Sequence, residues 1–89
     1  MRWTVEFDER ARRDIVALDA SVRRRILDKL SWFELHGDEI TALPLHGDWR
    51  EFSKLRVGDW RIAYTHAVSG RTITVHYIDR RDRMYKRRK

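Results

Sequence analysis

Three cations in the stretch "KLRVGDWRIAY", residues 54–64, are spaced as phosphate chemistry would use them. Lys54, Arg56 and Arg61 flank a Gly58-Asp59 pair, in runs rich in strand-forming residues. A two-residue connection containing glycine makes a tight hairpin turn, and that turn puts Arg56 directly opposite Arg61. Like charges facing each other across a sheet cost stability. An anion above the pair would offset that cost, since arginine's planar fork suits phosphate and clustered cations stabilise charge developing on it. The competing reading is that these cations are solvated side chains of an exposed face.

The cationic character extends over the chain. Its 89 residues hold 20 Lys and Arg, sixteen of them Arg, against 14 acids, for a formal charge of +6 and a pI near 10.3. Seven of the last ten residues, "RRDRMYKRRK", are basic, and Tyr85 sits among them. A small basic domain with such a tail is expected to bind nucleic acid. Arg23, Arg24 and Arg25 are either phosphate contacts or an ordinary solvent face. The histidines at 36, 46, 66 and 76 lack metal-ligand spacing, and the carboxylates form no cluster for Mg²⁺. No metal or cofactor is expected.

The absence of cysteine excludes disulfides and points to a reducing compartment. The start "MRWTVEFDER" has no apolar signal region, and no apolar run approaches the roughly 20 residues of a membrane helix. The expectation is a soluble, cytoplasmic protein forming a single domain over residues 1–89, with no membrane partner.

These residues need elements to hold them. Alternation in Trp3, Val5 and Phe7 predicts a first strand. Asp8 can cap a helix over "ERARRDIVAL", with Ala11, Ile15 and Leu18 on one face. Ser21 can cap a second helix in which Val22, Ile26, Leu30 and Phe33 recur at helical spacing, ended by Gly37. The segment "DEITALPLHG" reads as a crossing loop. Strands then follow at about 49–57, 60–68 and 71–78, joined by Gly58-Asp59 and Ser69-Gly70. The fold class is α+β: an N-terminal strand, two helices, and a three-stranded antiparallel meander with helices on one face.

Tight turns fix register. Leu55 should face Ile62, Arg56 face Arg61, Tyr64 face Val75, and Arg61 face Ile78. The face under the helices then carries Leu55, Val57, Trp60, Ile62, Tyr64, Val75 and Tyr77. The open face carries Lys54, Arg56, Arg61, Ala63, Thr65, Thr74, His76 and, if the strand continues, Arg80. On this register His76 faces Ala63 and is the best placed spare acid–base group, while His66 is a rim residue of the core.

The hairpin "LRVGDWR-IAY", the "LHG" before it and the C-terminal "IDRRDRMY" resemble the RelE/ParE superfamily of bacterial type II toxins, over almost the whole chain. RelE-type members cut mRNA at the ribosome; ParE-type members inhibit DNA gyrase without nuclease residues. The RelE branch is the favoured reading. The resemblance implies a metal-independent endoribonuclease, restrained by a cognate antitoxin. RNA 2′-OH attack would give a 2′,3′-cyclic phosphate. It implies catalytic roles for Lys54, Arg61, Arg81 and Tyr85, and RNA contacts by Arg56, Arg80, His76, Arg83 and Lys86. The motif chooses Arg81 as the active-site arginine, whereas strand alternation chooses Arg80. A second RelE lysine falls at Phe52, a histidine of some members at Met84, and no glutamate base is evident.

Overall fold

A computed structural model describes residues 2–39, 43–44, 51–84 and 86. Strand β1 (Thr4–Phe7) leads into helix α1 (Glu9–Ala17) through Asp8, whose carboxylate accepts the Ala11 N–H at 2.9 Å. A carboxylate here satisfies an amide that the helix cannot pair itself. Helix α2 (Ala20–His36) is capped by Asp19, not by Ser21. Asp19 Oδ1 accepts the Val22 N–H at 2.9 Å, and the Ser21 hydroxyl donates to the same oxygen. The acid two residues earlier has the geometry of the cap, and the serine supports it.

Arg23 is tied into the fold rather than left on an ordinary solvent face. Its guanidinium donates to the carbonyls of Ile15, Val16 and Leu18, closing the C-terminal end of α1. A cation suits that end of a helix dipole. The chain then makes a 3₁₀ turn (Gly37–Glu39). There the Asp38 carboxylate receives Trp3 Nε1–H at 3.0 Å and pairs with Arg71 at 2.6 Å.

The sheet has strand order β1-β5-β4-β3-β2, with β2 at Leu43–Pro44, β3 at Ser53–Val57, β4 at Trp60–Ala67 and β5 at Thr72–Arg80. β1 runs parallel to β5, and the other pairings are antiparallel. This is the expected α+β order. The crossing segment, read as a loop, contributes β2 at the sheet edge; proline is tolerated there because an edge strand need not donate on both sides. β3 starts at Ser53, and residues 49–50 of the expected strand lie outside the described residues. A four-residue helix α3 (Arg81–Met84) follows β5. Among the described residues no helix is long and apolar enough to cross a membrane.

The first hairpin has the register its turn implies: Val57 pairs with Trp60, Leu55 with Ile62, and Arg56 with Arg61. Gly58 takes φ +58, a conformation that side-chain-bearing residues rarely adopt. The second hairpin also closes around Ser69-Gly70, with Arg71 N–H on the Val68 carbonyl, but its ladder begins at Ala67 and Thr72.

One irregularity changes everything beyond it. Tyr64 pairs with Val75, yet Ala63 pairs with Tyr77, so His76 is an extra residue in β5. A β-bulge of this kind advances the alternation by one position. Arg61 therefore pairs with Asp79, not Ile78, and Trp60 with Arg80. Tyr77 leaves the helix-covered face that alternation predicted for it, Ile78 joins that face, and Arg80 leaves the open one.

The main core lies between the helices and one sheet face. Ala11, Leu18, Ile26, Leu30 and Phe33 pack with Trp3, Leu55, Ile62, Tyr64, Ile73, Val75 and Ile78. A second small cluster, Phe52, Ala63, Tyr77 and Met84, lies on the other face. The face expected to be open around Ala63 is thus covered at its centre: Ala63 is 0% exposed. Met84 of α3 is among the side chains over it.

Candidate active site

Three rows of paired residues build the face opposite the main core. Arg56, Arg61 and Asp79 form the row nearest the first turn. Next come Lys54, Ala63 and Tyr77, and beyond them Thr65 beside the bulged His76. Alternation along β3 and β4 brings Lys54, Arg56 and Arg61 to one face, as the hairpin register requires.

The opposed arginines are held apart by two devices. Arg61 Nη1 donates to the carbonyls of Gly58 and Trp60 at 2.8 and 2.9 Å, which draws its guanidinium toward the turn. The bulge also puts the Asp79 carboxylate on the other flank of Arg61, where alternation expected Ile78. A carboxylate beside a cation offsets repulsion from a second cation. Arg56 remains exposed, and Lys54 is half-buried against the row of Ala63.

The remaining sequence candidates are scattered around this face. Arg81 is exposed, and its backbone N–H donates to the Asp59 carbonyl at 2.8 Å, which seats the start of α3 against the turn bearing Arg61. Arg80 is not part of the face; its guanidinium lies 6.0 Å over the Trp60 ring on the helix side. The bulge thus removes the strand-alternation argument that placed Arg80 on this face. Arg83 and Lys86 are exposed beside α3, with Lys86 N–H on the Arg83 carbonyl. Tyr85 lies outside the described residues. His66 is exposed, and its ring meets Trp3 and Tyr64 at 6.5 and 6.3 Å, a rim position on the core side.

His76 does not face Ala63. Its Nδ1 lies 2.8 Å from Asp8 Oδ2 and its Nε2 lies 2.8 Å from Thr65 Oγ1, with the Phe52 ring 5.1 Å away. Arg10 of α1 completes this end: it donates to the Tyr77 hydroxyl, lies 4.4 Å over the Tyr77 ring, and stands 3.7 Å from Asp8 Oδ2. Sequence reasoning missed Asp79 and Arg10, placed Thr65 on the face without a role, and saw Asp8 only as a helix cap. The one available signal was the adjacent apolar pair Tyr77-Ile78, which breaks strict alternation.

Burial works against the ionised Asp8. The Ala11 amide, the hydrogen bond and charge of His76, and the charge of Arg10 overcome it and hold the carboxyl below its usual value. The sign follows directly. A carboxyl with a lower folded than unfolded pKa stabilises the fold above its unfolded pKa, and that contribution disappears as pH falls through the folded one. We expect the urea midpoint of the native protein to fall below about pH 4, where aspartate titrates. In Asp8→Asn, which retains capping ability, this acid-side fall should be shallower. Superimposable acid limbs for the two proteins would exclude this contribution.

Solved structures share this architecture. A chain of the RelBE2 toxin–antitoxin complex from Mycobacterium tuberculosis matches with a TM-score of 0.77 at 21% identity, covering 91% of this chain and 100% of that one. A chain of the archaeal RelE–RelB complex from Pyrococcus horikoshii matches at 0.71 and 20% identity, over 93% and 99%. The isolated E. coli RelE toxin matches at 0.70 and 24% identity, over 88% and 83%. No family model and no curated protein sequence matches the chain. With the strand order, the paired helices and the sheet face in place, the chain has the fold of the RelE toxins.

Proposed function

We propose that the protein is the toxin of a type II toxin–antitoxin module and an endoribonuclease that cleaves mRNA at the ribosome, in the cytoplasm. The observation that carries this reading is the convergence of Lys54, Arg56 and Arg61 on one sheet face, with Arg81 beginning a helix seated on the same turn. A phosphodiester laid on this face meets fixed positive charge on the side where its transition state gains negative charge. Arg61 and Arg81 bind the phosphate. Lys54 stands beside the nucleophile, its ammonium favouring the 2′-alkoxide, and Tyr85 stacks on a base. The products are a 2′,3′-cyclic phosphate and a 5′-hydroxyl, and no step as drawn calls for a metal.

Arg56, Arg83 and Lys86 hold the RNA by its backbone, a contact that fixes position without reading sequence. The Mycobacterium structure is a toxin–antitoxin complex and the Pyrococcus structure a RelE–RelB complex, which supports a protein partner for this chain too. An acidic antitoxin segment over the cationic face would relieve the repulsion between Arg56 and Arg61.

Expression without a partner should arrest bacterial growth and yield mRNA cut within coding regions, read by mapping RNA 5′ ends after induction. Intact transcripts together with inhibited gyrase supercoiling would replace this reading by the ParE type.

A further inference from the structure

The nuclease reading leaves one role unfilled: a base for the 2′-hydroxyl. We propose that His76, oriented by Asp8 and reached through Thr65, is that base. The inference rests on the nuclease reading and deepens it.

The direction of the hydrogen-bond chain follows from the chemistry of its members. Asp8 Oδ1 accepts the Ala11 amide, so its carboxylate is held at one end while Oδ2 meets His76 Nδ1. An ionised carboxylate can only accept, so Nδ1 carries the proton, and Nε2 of the neutral ring is the acceptor. Thr65 therefore donates its hydroxyl proton to Nε2, and the lone pairs of its oxygen are left for a second donor. The ring is held at both nitrogens, which is how a base is oriented for proton transfer. It owes its place to the bulge, a feature that re-aims side chains.

Position along the strand fits the role. Arg61, Ala63 and Thr65 succeed one another on the same face of β4, with Lys54 paired to Ala63. Arg61 and Thr65 are each about 7 Å from the Ala63 row along the strand. A phosphate on Lys54 then has Arg61 on one side and Thr65, with its route to the base, on the other. The other charged groups around His76 are Arg10 of α1, 3.7 Å from Asp8; Glu6 of β1, opposite Thr74 on this face; and Lys54 of β3. Tyr77 and Asp79 share the face on β5.

The step balances. The 2′-hydroxyl gives its proton to Thr65 Oγ1 as Thr65 passes its own to His76 Nε2. The 2′-oxygen bonds to phosphorus, and the bond from phosphorus to the 5′-oxygen breaks. A water molecule protonates the departing 5′-oxygen. The imidazolium, paired with Asp8, returns its proton to the hydroxide so formed.

The test is single-turnover mRNA cleavage on saturated ribosomes between pH 5 and 9, with ribosome binding and thermal melting measured on the same proteins. His76→Gln should slow cleavage about 10²- to 10⁴-fold while binding is retained, and should abolish the acid-side inflection of the rate profile. Asp8→Asn should move that inflection to lower pH, because the imidazolium loses its carboxylate partner. Thr65→Val should be slow, and Thr65→Ser should recover most of the rate. A staple that only holds the bulge would change melting and leave the inflection in place. If the native protein cleaves and Asp8→Asn and His76→Gln keep its inflection, the relay is wrong and the nuclease reading stands. If His76→Gln does not fold, Asp8→Asn decides, since asparagine still caps α1. A native protein that leaves mRNA intact overturns the nuclease reading and the relay together.

Discussion

Arg61→Ala should slow single-turnover cleavage on saturated ribosomes by about a hundred- to thousandfold. That is the scale for one donor aimed at a developing oxyanion, about 2.7–4 kcal/mol. Among Lys54, Arg56 and Arg61, Arg61 is the cation whose placement is most constrained: the register fixes its strand position, and the Gly58 and Trp60 carbonyls fix its guanidinium. Removing it also takes away those two hydrogen bonds. The Gly58 carbonyl lies in an exposed turn and can exchange to water, whereas the Trp60 carbonyl at the start of β4 is partly buried, so the stability loss should be about that of one hydrogen bond, roughly 0.5–1.5 kcal/mol. Arg61→Lys should lie between the two proteins in rate, because it keeps a charge and loses the fork. A folded Arg61→Ala protein that cleaves at the parental rate would remove this residue from the active site.

Its neighbour should behave in the opposite way. Ile62 points through the sheet to the helices, is 0% exposed, and is paired with Leu55 on one side and Ile78 on the other. Ile62→Ala should destabilise the fold by about 2–5 kcal/mol, the lost transfer of the buried side chain plus a cavity at the middle of the sheet. For a domain of this size that lowers the melting temperature by roughly 8 °C or more. Cleavage by the fraction still folded should continue near the parental rate, since no atom of Ile62 faces the cationic side. Urea titration measures the loss directly. A change under about 0.5 kcal/mol would mean that the helices do not pack on β4 as described.

The two variants mark what was legible in the sequence and what was not. Gly58-Asp59 fixes the first hairpin, so the pairs from Val57–Trp60 to Lys54–Ala63 follow from the turn alone. The Asp8 cap and the core stripe Ile26, Leu30 and Phe33 follow from local chemistry and helical period. The bulge does not follow from alternation, because alternation assumes that no residue is added. Asp8 and His76 are 68 residues apart, so their contact belongs to the tertiary fold. Met84 over Ala63 depends on a helix of four residues, too short to show a period. The resemblance to the toxin family supplied Arg81 where counting along the strand supplied Arg80, and the bulge explains the difference.

Placing two strands residue by residue in matched columns assumes that equal numbers mean equal faces. Beyond His76 that holds here only after a gap of one. Set beside a sister strand lacking the extra residue, Tyr77 and Asp79 would fall in the columns of core positions, and Ile78 and Arg80 in those of the cationic side. Removing His76 itself would leave these faces as they are in a regular ladder, whereas closing the bulge with His76 still in the strand would turn a carboxylate and a phenol inward and an isoleucine to solvent. The spacing of this one strand, as much as the identity of any side chain in it, therefore sets which residues can meet a substrate.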